Sequence, residues 1–166
     1  MPLRVIAGSA KGRRLRMVPG NLTRPIRDQV KEALFNILAP ALHDSDFLDL
    51  FAGTGSVGIE ALSRGAAHVT FVEKHSAALQ TIRENLELTE FTDRAQLVRA
   101  DVFEWIDRQP GSSHDFAYVA PPQDLKLWSK AVRRLDFDAH RLNMDAWVIA
   151  QINAQEYRPL KLETLV

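Results

Sequence analysis

"DLFAGTGSVG", residues 49–58, decides how this chain of 166 residues folds. The apolar run "FLDLF" (Phe47–Phe51) is short and bounded, as a buried strand is. Gly53-x-Gly55-x-x-Gly58 follows at once. Glycine accepts the left-handed dihedrals of a tight turn, and without a Cβ it lets the backbone come close to another group. Val57, Ala61 and Leu62 then begin a helical pattern that stops at Gly65. The stretch reads as strand, glycine turn and helix, the opening of a βαβ unit.

The alternation continues outward. "HVTFVE" (68–73) is a second strand, and Ser76 is placed to cap a helix carrying Leu79, Ile82 and Leu86. "AQLVRA" (95–100), "DFAYVA" (115–120) and "WVIAQI" (147–152) are a third, fourth and fifth strand. Upstream, Pro25 suits a first helical turn, with Ile26, Val30, Ala33, Leu34, Ile37 and Leu38 at helical spacing up to Pro40, which is expected to end it. Strands separated by helices predict an α/β fold with a mainly parallel, twisted sheet and helices on both faces. The N-terminal "LRVIAGSAKGRRLRMVP" predicts a small hairpin, Leu3–Val5 pairing across a Gly8/Gly12 turn with Leu15 and Met17, closed by Pro19 and Gly20. The expected organisation is a basic hairpin over 1–20 and one ligand-binding domain over 21–166.

Ligands on such sheets bind beyond the carboxyl ends of the strands. A phosphate-gripping P-loop needs Lys after its last glycine, and Ile59 stands there, which excludes that chemistry. Glu73 ends the second strand 20 residues after Gly53 and can accept from both hydroxyls of a ribose. Asp49 precedes the loop and Asp101 follows the third strand. Three acids at three strand ends suit the cationic S-adenosylmethionine better than the pyrophosphate of NAD, which wants a helix N-terminus free of competing anions. Each acid has a plainer alternative: Asp49 could only orient the loop, Asp101 could only cap the following helix, and Glu73 could be an exposed strand-end acid beside Lys74.

Charge adds a second partner. The net charge is zero, yet Arg4, Lys11, Arg13, Arg14, Arg16, Arg24 and Arg27 precede the first acid, Asp28, so residues 1–27 carry +7 and the remainder −7. A basic arm on an acidic domain points to a polyanion such as nucleic acid. Hydrophobic content of 46% and charged content of 25% are those of an ordinary globular protein. No apolar run approaches a membrane span, no secretory h-region opens the chain, and the absence of cysteine excludes disulfides and thiolate metal sites, which together predict a cytoplasmic protein with no membrane partner. His43, His68, His75, His114 and His140 show no metal spacing, so no metal is expected, and no Gly-x-Ser-x-Gly elbow supports hydrolysis. Trp105, Trp128 and Trp147 are expected in the core or at its rim, and His68 and His75 at the surface.

"YVAPPQ" (118–123) ends the fourth strand at two prolines, which cannot donate to a ladder. Together with "DLFAGTG", "FVEK" and "RAD" it resembles motifs of the Rossmann-like class I amino-methyltransferases. "TRPIRDQVKEALFNIL" (23–38), "GIEALSRGAAHVTFVEK" (58–74) and the "RVIAGSAKGRRL" hairpin are similar to those of bacterial 16S rRNA guanine-N2 methyltransferases of the RsmD type, over nearly the whole chain. The resemblance implies S-adenosylmethionine as cofactor and 16S rRNA, or the small ribosomal subunit, as partner, with a guanine of the 966 type as target. It implies that Gly53 and Gly55 contact the methionine end, with Asp49 near its amine and Phe51 beside the loop. Glu73, next to Lys74, would hold the ribose, and Asp101 with the backbone of Val102 would read the adenine. Lys11, Arg13, Arg14, Arg16 and Arg24 would hold rRNA phosphates. A monomer is expected.

Ala120, Pro121, Pro122 and Gln123 fall where that family carries Asp or Asn, Pro, Pro and an aromatic residue. The side chain before the prolines accepts from the target amine and the ring stacks on the base. Ala120 has no acceptor and Gln123 no ring, whereas the Pro121 carbonyl is retained; Asp124 and Tyr118 are candidate substitutes. Ile26 stands where the family usually has Thr, removing a hydroxyl near the expected cofactor site. The family usually continues past "LKLETLV" with a further strand, so either the chain is expected to be truncated or the sheet to have an unpaired edge. Alternatives on the same residues are a non-catalytic S-adenosylmethionine- and RNA-binding protein, an amino-methyltransferase on another nucleic acid, or an NAD oxidoreductase.

Overall fold

The computed structural model describes residues 2–20, 22–108, 113–123 and 126–165. Five strands, β1 (Asp46–Leu50), β2 (His68–Glu73), β3 (Ala95–Arg99), β4 (His114–Val119) and β5 (Leu142–Ala150), form one sheet in the order β3-β2-β1-β4-β5. Every pairing is parallel, not merely most of them. Helices α1 (Asp28–Leu42), α2 (Ser56–Ser63), α3 (Ser76–Thr89), α4 (Val102–Asp107) and α5 (Leu127–Phe137) make the crossovers and layers that parallel pairing demands.

Successive strand residues supply opposite faces. Phe47, Phe71, Phe116 and Tyr118 face Phe35, Leu38, Ile59 and Ile82 on one side of the sheet. Leu48, Leu50, Val72, Ala117 and Val119 pack against Val102, Trp105, Ala131 and Leu135 on the other. The strand order turns around between β1 and β4, so the carboxyl ends of those two strands border the crevice where ligands of such sheets lie.

Several expectations need correction. Phe51 lies outside β1, in a left-handed conformation with φ 61°. β3 and β4 stop at Arg99 and Val119, and β5 begins five residues before Trp147, because main-chain pairing continues where the apolar pattern is weak. Helix α1 starts at Asp28 and runs past Pro40 to Leu42. Its buried stripe is Lys31, Phe35, Leu38 and Leu42, whereas Val30 and Ile37 are exposed. Ser76 does not cap α3; the N-cap is His75, without a side-chain cap bond. Met17 is half exposed, and Trp147 sits at the rim while Trp105 and Trp128 are buried.

The N-terminal hairpin forms and joins the main core. Val5 N donates to Arg13 O at 2.9 Å and Leu15 N to Leu3 O at 2.8 Å. Leu3, Val5, Ala10 and Leu15 belong to the same apolar cluster as α1 and α2. Glu60, on α2 and fully buried, accepts from Ile6 N at 2.9 Å and Ala7 N at 3.0 Å, and from Arg64 Nε at 2.8 Å. The equally buried Lys31 Nζ lies 3.4 Å from Glu60 and donates to Arg4 O at 2.7 Å. Ser63 Oγ accepts from Ala10 N at 3.0 Å and donates to Ala7 O. Gly8 (φ +86°) runs so close to Ser63 that a Cβ there would stand 1.9 Å from the Ser63 carbonyl oxygen. Asn85 of α3 accepts from Arg16 N and donates to Arg16 O and Thr54 O.

Candidate active site

The loop after β1 is shaped by its glycines. Gly53 and Gly55 take φ values of +57° and +76°, which side chains with a Cβ rarely adopt. Gly58, in the first turn of α2, lies so close to β2 that a Cβ would meet Phe71 at 2.3 Å. The loop thus folds back tightly over the ends of β1 and β2.

Two of the three strand-end acids hold it, and the third lies at the end of β3. Asp49 is buried and accepts from Gly58 N at 3.1 Å. Glu73 is buried too, not an exposed acid, and its two oxygens accept from Gly53 N at 3.0 Å and His75 N at 2.9 Å. Asp101 caps α4, Oδ1 accepting from Phe103 N at 2.9 Å and Glu104 N at 3.3 Å, with Val102 buried behind it. The capping role is therefore real, and one carboxylate oxygen carries both of those bonds. Phe51 meets Phe103 edge-on with ring centroids 6.1 Å apart, and Lys130 Nζ lies 4.1 Å from the Phe103 centroid. Lys74 is exposed beside Glu73.

Burial pushes the Asp49 carboxyl well above the ordinary carboxylate range, against the pull of the Gly58 N–H and with a further push from Glu73. An acid with a raised folded-state pKa holds its proton longer when folded. Its contribution is complete below the unfolded carboxylate pKa and is lost as pH rises through the folded value. Asp49→Asn is expected to flatten the fall of Tm with rising pH across that window. Thermal melts over a pH series check this, and equal slopes in the two proteins would overturn it.

β4 delivers the lip. Ala120 N reaches Leu50 O at 3.5 Å, and Pro121, Pro122 and Gln123 follow outward. Tyr118 lies beside Asp49 in register and is buried, its hydroxyl donating to Gln151 Oε1 just beyond β5. Burial, with the Asp49 charge, pushes that phenol up, so it stays protonated, packed in the core and turned to Gln151 rather than replacing the acceptor that Ala120 lacks. Asp124 lies outside the described residues. Ile26 is packed in the core rather than presented to the crevice.

Sequence reasoning missed Thr23. Its Cγ2 stands 3.3 Å from where a Gly53 Cβ would be, and its hydroxyl is buried without a partner among the described residues. Gln151 was also missed. For Thr23 the available signal is a small polar residue between the basic arm and a proline; for Gln151 it is a polar residue in an otherwise apolar strand end. A buried orphan hydroxyl, two buried carboxylates and a glycine loop with close backbone approach fit a ligand bearing hydroxyls and a positive charge, as S-adenosylmethionine does. Among the described residues no group of acids or histidines is arranged to hold a metal, and no helix is long and apolar enough to cross a membrane.

The basic arm is less bare than its sequence. Arg4 pairs with Asp28 at 3.0 Å, Arg16 with Glu84 at 3.3 Å and Arg13 with Glu90 at 3.5 Å. Folding brings in acids from α1 and from the end of α3 that sequence distance hides. Lys11, Arg14 and Arg24 are exposed.

A family described as "Conserved hypothetical protein 95" matches residues 3–166. YlbH of Bacillus subtilis is 38% identical over 167 residues, 99% of this chain and 90% of that one. Ribosomal RNA small subunit methyltransferase D of Haemophilus influenzae is 36% identical over 135 residues, 80% of this chain and 70% of that one. The solved structure of the methyltransferase-fold protein yhhF of Escherichia coli superposes with a TM-score of 0.78 at 35% identity, covering 89% of this chain and 79% of that one. The architecture is that of class I methyltransferases.

Proposed function

The chain belongs to the conserved hypothetical protein 95 family, and from that premise we propose that it is an S-adenosylmethionine-dependent methyltransferase acting on the exocyclic N2 of a guanine in 16S rRNA, of the 966 type. The supporting observation is that Glu73 and Asp49 hold the two ends of the Gly53–Gly58 loop, with Asp101 at the end of the next strand, β3, on one side and the Pro121-Pro122 lip after β4 on the other. The relative from Haemophilus influenzae, named for the same small-subunit rRNA activity, adds to it. On this reading a monomer acts in the cytoplasm.

When bound, the cofactor supplies an electrophilic methyl group on a positively charged sulfur. Asp49 would hold its amine, and the main chain at Gly53 and Gly55 its methionine end, with Phe51 beside it. Glu73, flanked by Lys74, would accept from the ribose hydroxyls with the lone pairs not used by Gly53 N and His75 N. Asp101, through the oxygen that does not cap α4, and the main chain at Val102 would take the adenine. The target amine has its lone pair delocalised into the ring, so the protein's task is placement at about 3–3.5 Å in line with the departing sulfur rather than deprotonation by a strong base. The Pro121 carbonyl accepts one amine N–H and turns the lone pair toward the methyl. After transfer the surplus proton leaves to water.

Lys11, Arg13, Arg14 and Arg16 meet phosphates, which position an RNA without reading its sequence, and Arg24 meets the RNA beside the lip. Removing one cation that neutralises a phosphate flattens the slope of log K against log salt by about 1, so Arg13→Ala/Arg14→Ala together should flatten it by about 2. An unchanged slope would reject that role; a change smaller than this is expected if Arg13 stays with Glu90.

Labelled methyl transfer to small subunits lacking the modification tests the activity. Cofactor binding in calorimetry without transfer would establish the second reading, a non-catalytic S-adenosylmethionine- and RNA-binding protein, which Ala120 and Gln123 favour. Absence of cofactor binding would sink both.

A further inference from the structure

The lip from Ala120 to Gln123 offers no aromatic ring, and bases swung out of their stack rest on aromatic rings or guanidinium planes. One planar group is delivered there by another part of the chain. Arg24 Nη1 donates to Gln123 Oε1 at 3.1 Å, joining the segment before α1 to the lip across 99 residues of sequence. Next to it, Thr23 is seated against Gly53. The Thr23-Arg24 step therefore spans from the glycine turn to the lip, over the place where transfer would occur. Arg4, Arg13 and Arg16 are each met by a carboxylate. Arg24 is met by a neutral amide oxygen, which fixes one edge of the guanidinium and leaves its charge and its faces available. Guanidinium planes stack on nucleobases, which an ammonium cannot do.

We infer that Arg24, oriented by Gln123, is the surface on which the target guanine stacks, so that Arg24 binds the base and Gln123 positions Arg24. The inference rests on the methyltransferase reading and deepens it at the same site.

The test uses the full chain with S-adenosylhomocysteine and a short single-stranded RNA carrying one fluorescent aminopurine, together with labelled transfer to unmodified small subunits. Wild type is expected to quench the aminopurine by stacking. Arg24→Lys keeps the charge and loses the plane. It should bind the RNA within about twofold of wild type, yet lose the quenching, and its transfer rate should fall about tenfold. Gln123→Tyr in the Arg24→Lys background should restore quenching by supplying a ring. Both residues are exposed, so the variants should fold. Quenching equal in wild type and Arg24→Lys would overturn the inference even where transfer is observed. Quenching that depends on Arg24 in a protein without transfer would uphold the stacking role and overturn the activity instead.

Discussion

Glu60→Ala is expected to cost about 3–5 kcal/mol of stability, the usual penalty for removing one partner of a buried pair. Lys31 would be left in the interior without the carboxylate 3.4 Å away, where burial already holds its pKa below the ordinary lysine value. Ile6 N and Ala7 N would lose their acceptors, and Arg64 would lose its partner. The arm is the part that comes loose, so amide exchange should rise first over residues 3–16. Denaturant unfolding measures the total. Lys31→Met/Glu60→Leu separates the contributions: it removes both charges, and should recover part of the loss while leaving the two N–H groups unsatisfied. A Glu60→Ala protein within about 1 kcal/mol of wild type would show that water reaches the cluster and replaces the carboxylate.

Ala120→Asp carries the second large effect, in the opposite direction. The lip keeps a carbonyl acceptor at Pro121 and lacks a side-chain one, and Tyr118 is occupied as a donor to Gln151. One preorganised polar contact to a reacting group is worth about 10²–10³ in rate. Ala120→Asp should therefore raise the single-turnover rate of methyl transfer by about 10²-fold, while the cofactor affinity measured by calorimetry changes little. An unchanged rate would mean that another group already holds the second amine hydrogen. A weakened affinity would mean that the new carboxylate disturbs Leu50 and the glycine turn beneath it.

Much of the fold is legible because two periodicities rarely conflict here. His68–Glu73 reads true to the residue, since both ends are marked by small residues or a charge and the strand between is apolar. The glycine turn is legible because only glycine takes two left-handed positions so readily. Helix α1 misleads for an instructive reason. Its buried stripe runs 31, 35, 38, 42, and the first member is a lysine. Hydrophobicity alone shifts the stripe onto Val30 and Ile37, which face solvent. The partner that makes Lys31 tolerable inside, Glu60, is on another helix, and no local pattern announces it. The same holds for Asn85, three residues after Ile82 on the buried face of α3. A polar residue at a core-facing helical position is the visible signal of both. The site acids are legible as strand ends; the Arg24–Gln123 bridge is not, since 99 residues separate its members.

The bonds that fasten the arm also fix when it can be fastened. Ile6 and Ala7 wait for Glu60, 54 and 53 residues later, and Arg16 waits for Asn85, 69 residues later. Synthesis from the N-terminal side therefore makes the cationic segment before the partners that hold it. That segment stays a loose polycation beside ribosomal RNA until α2 and α3 have been synthesised. Folding then withdraws the main chain of the arm into α2 and α3 and hands three of its arginines to acids. Docking thereby also turns an indiscriminate RNA-binding tail into an oriented basic face, and faults that delay it would surface as stickiness during translation before they surface as lost stability.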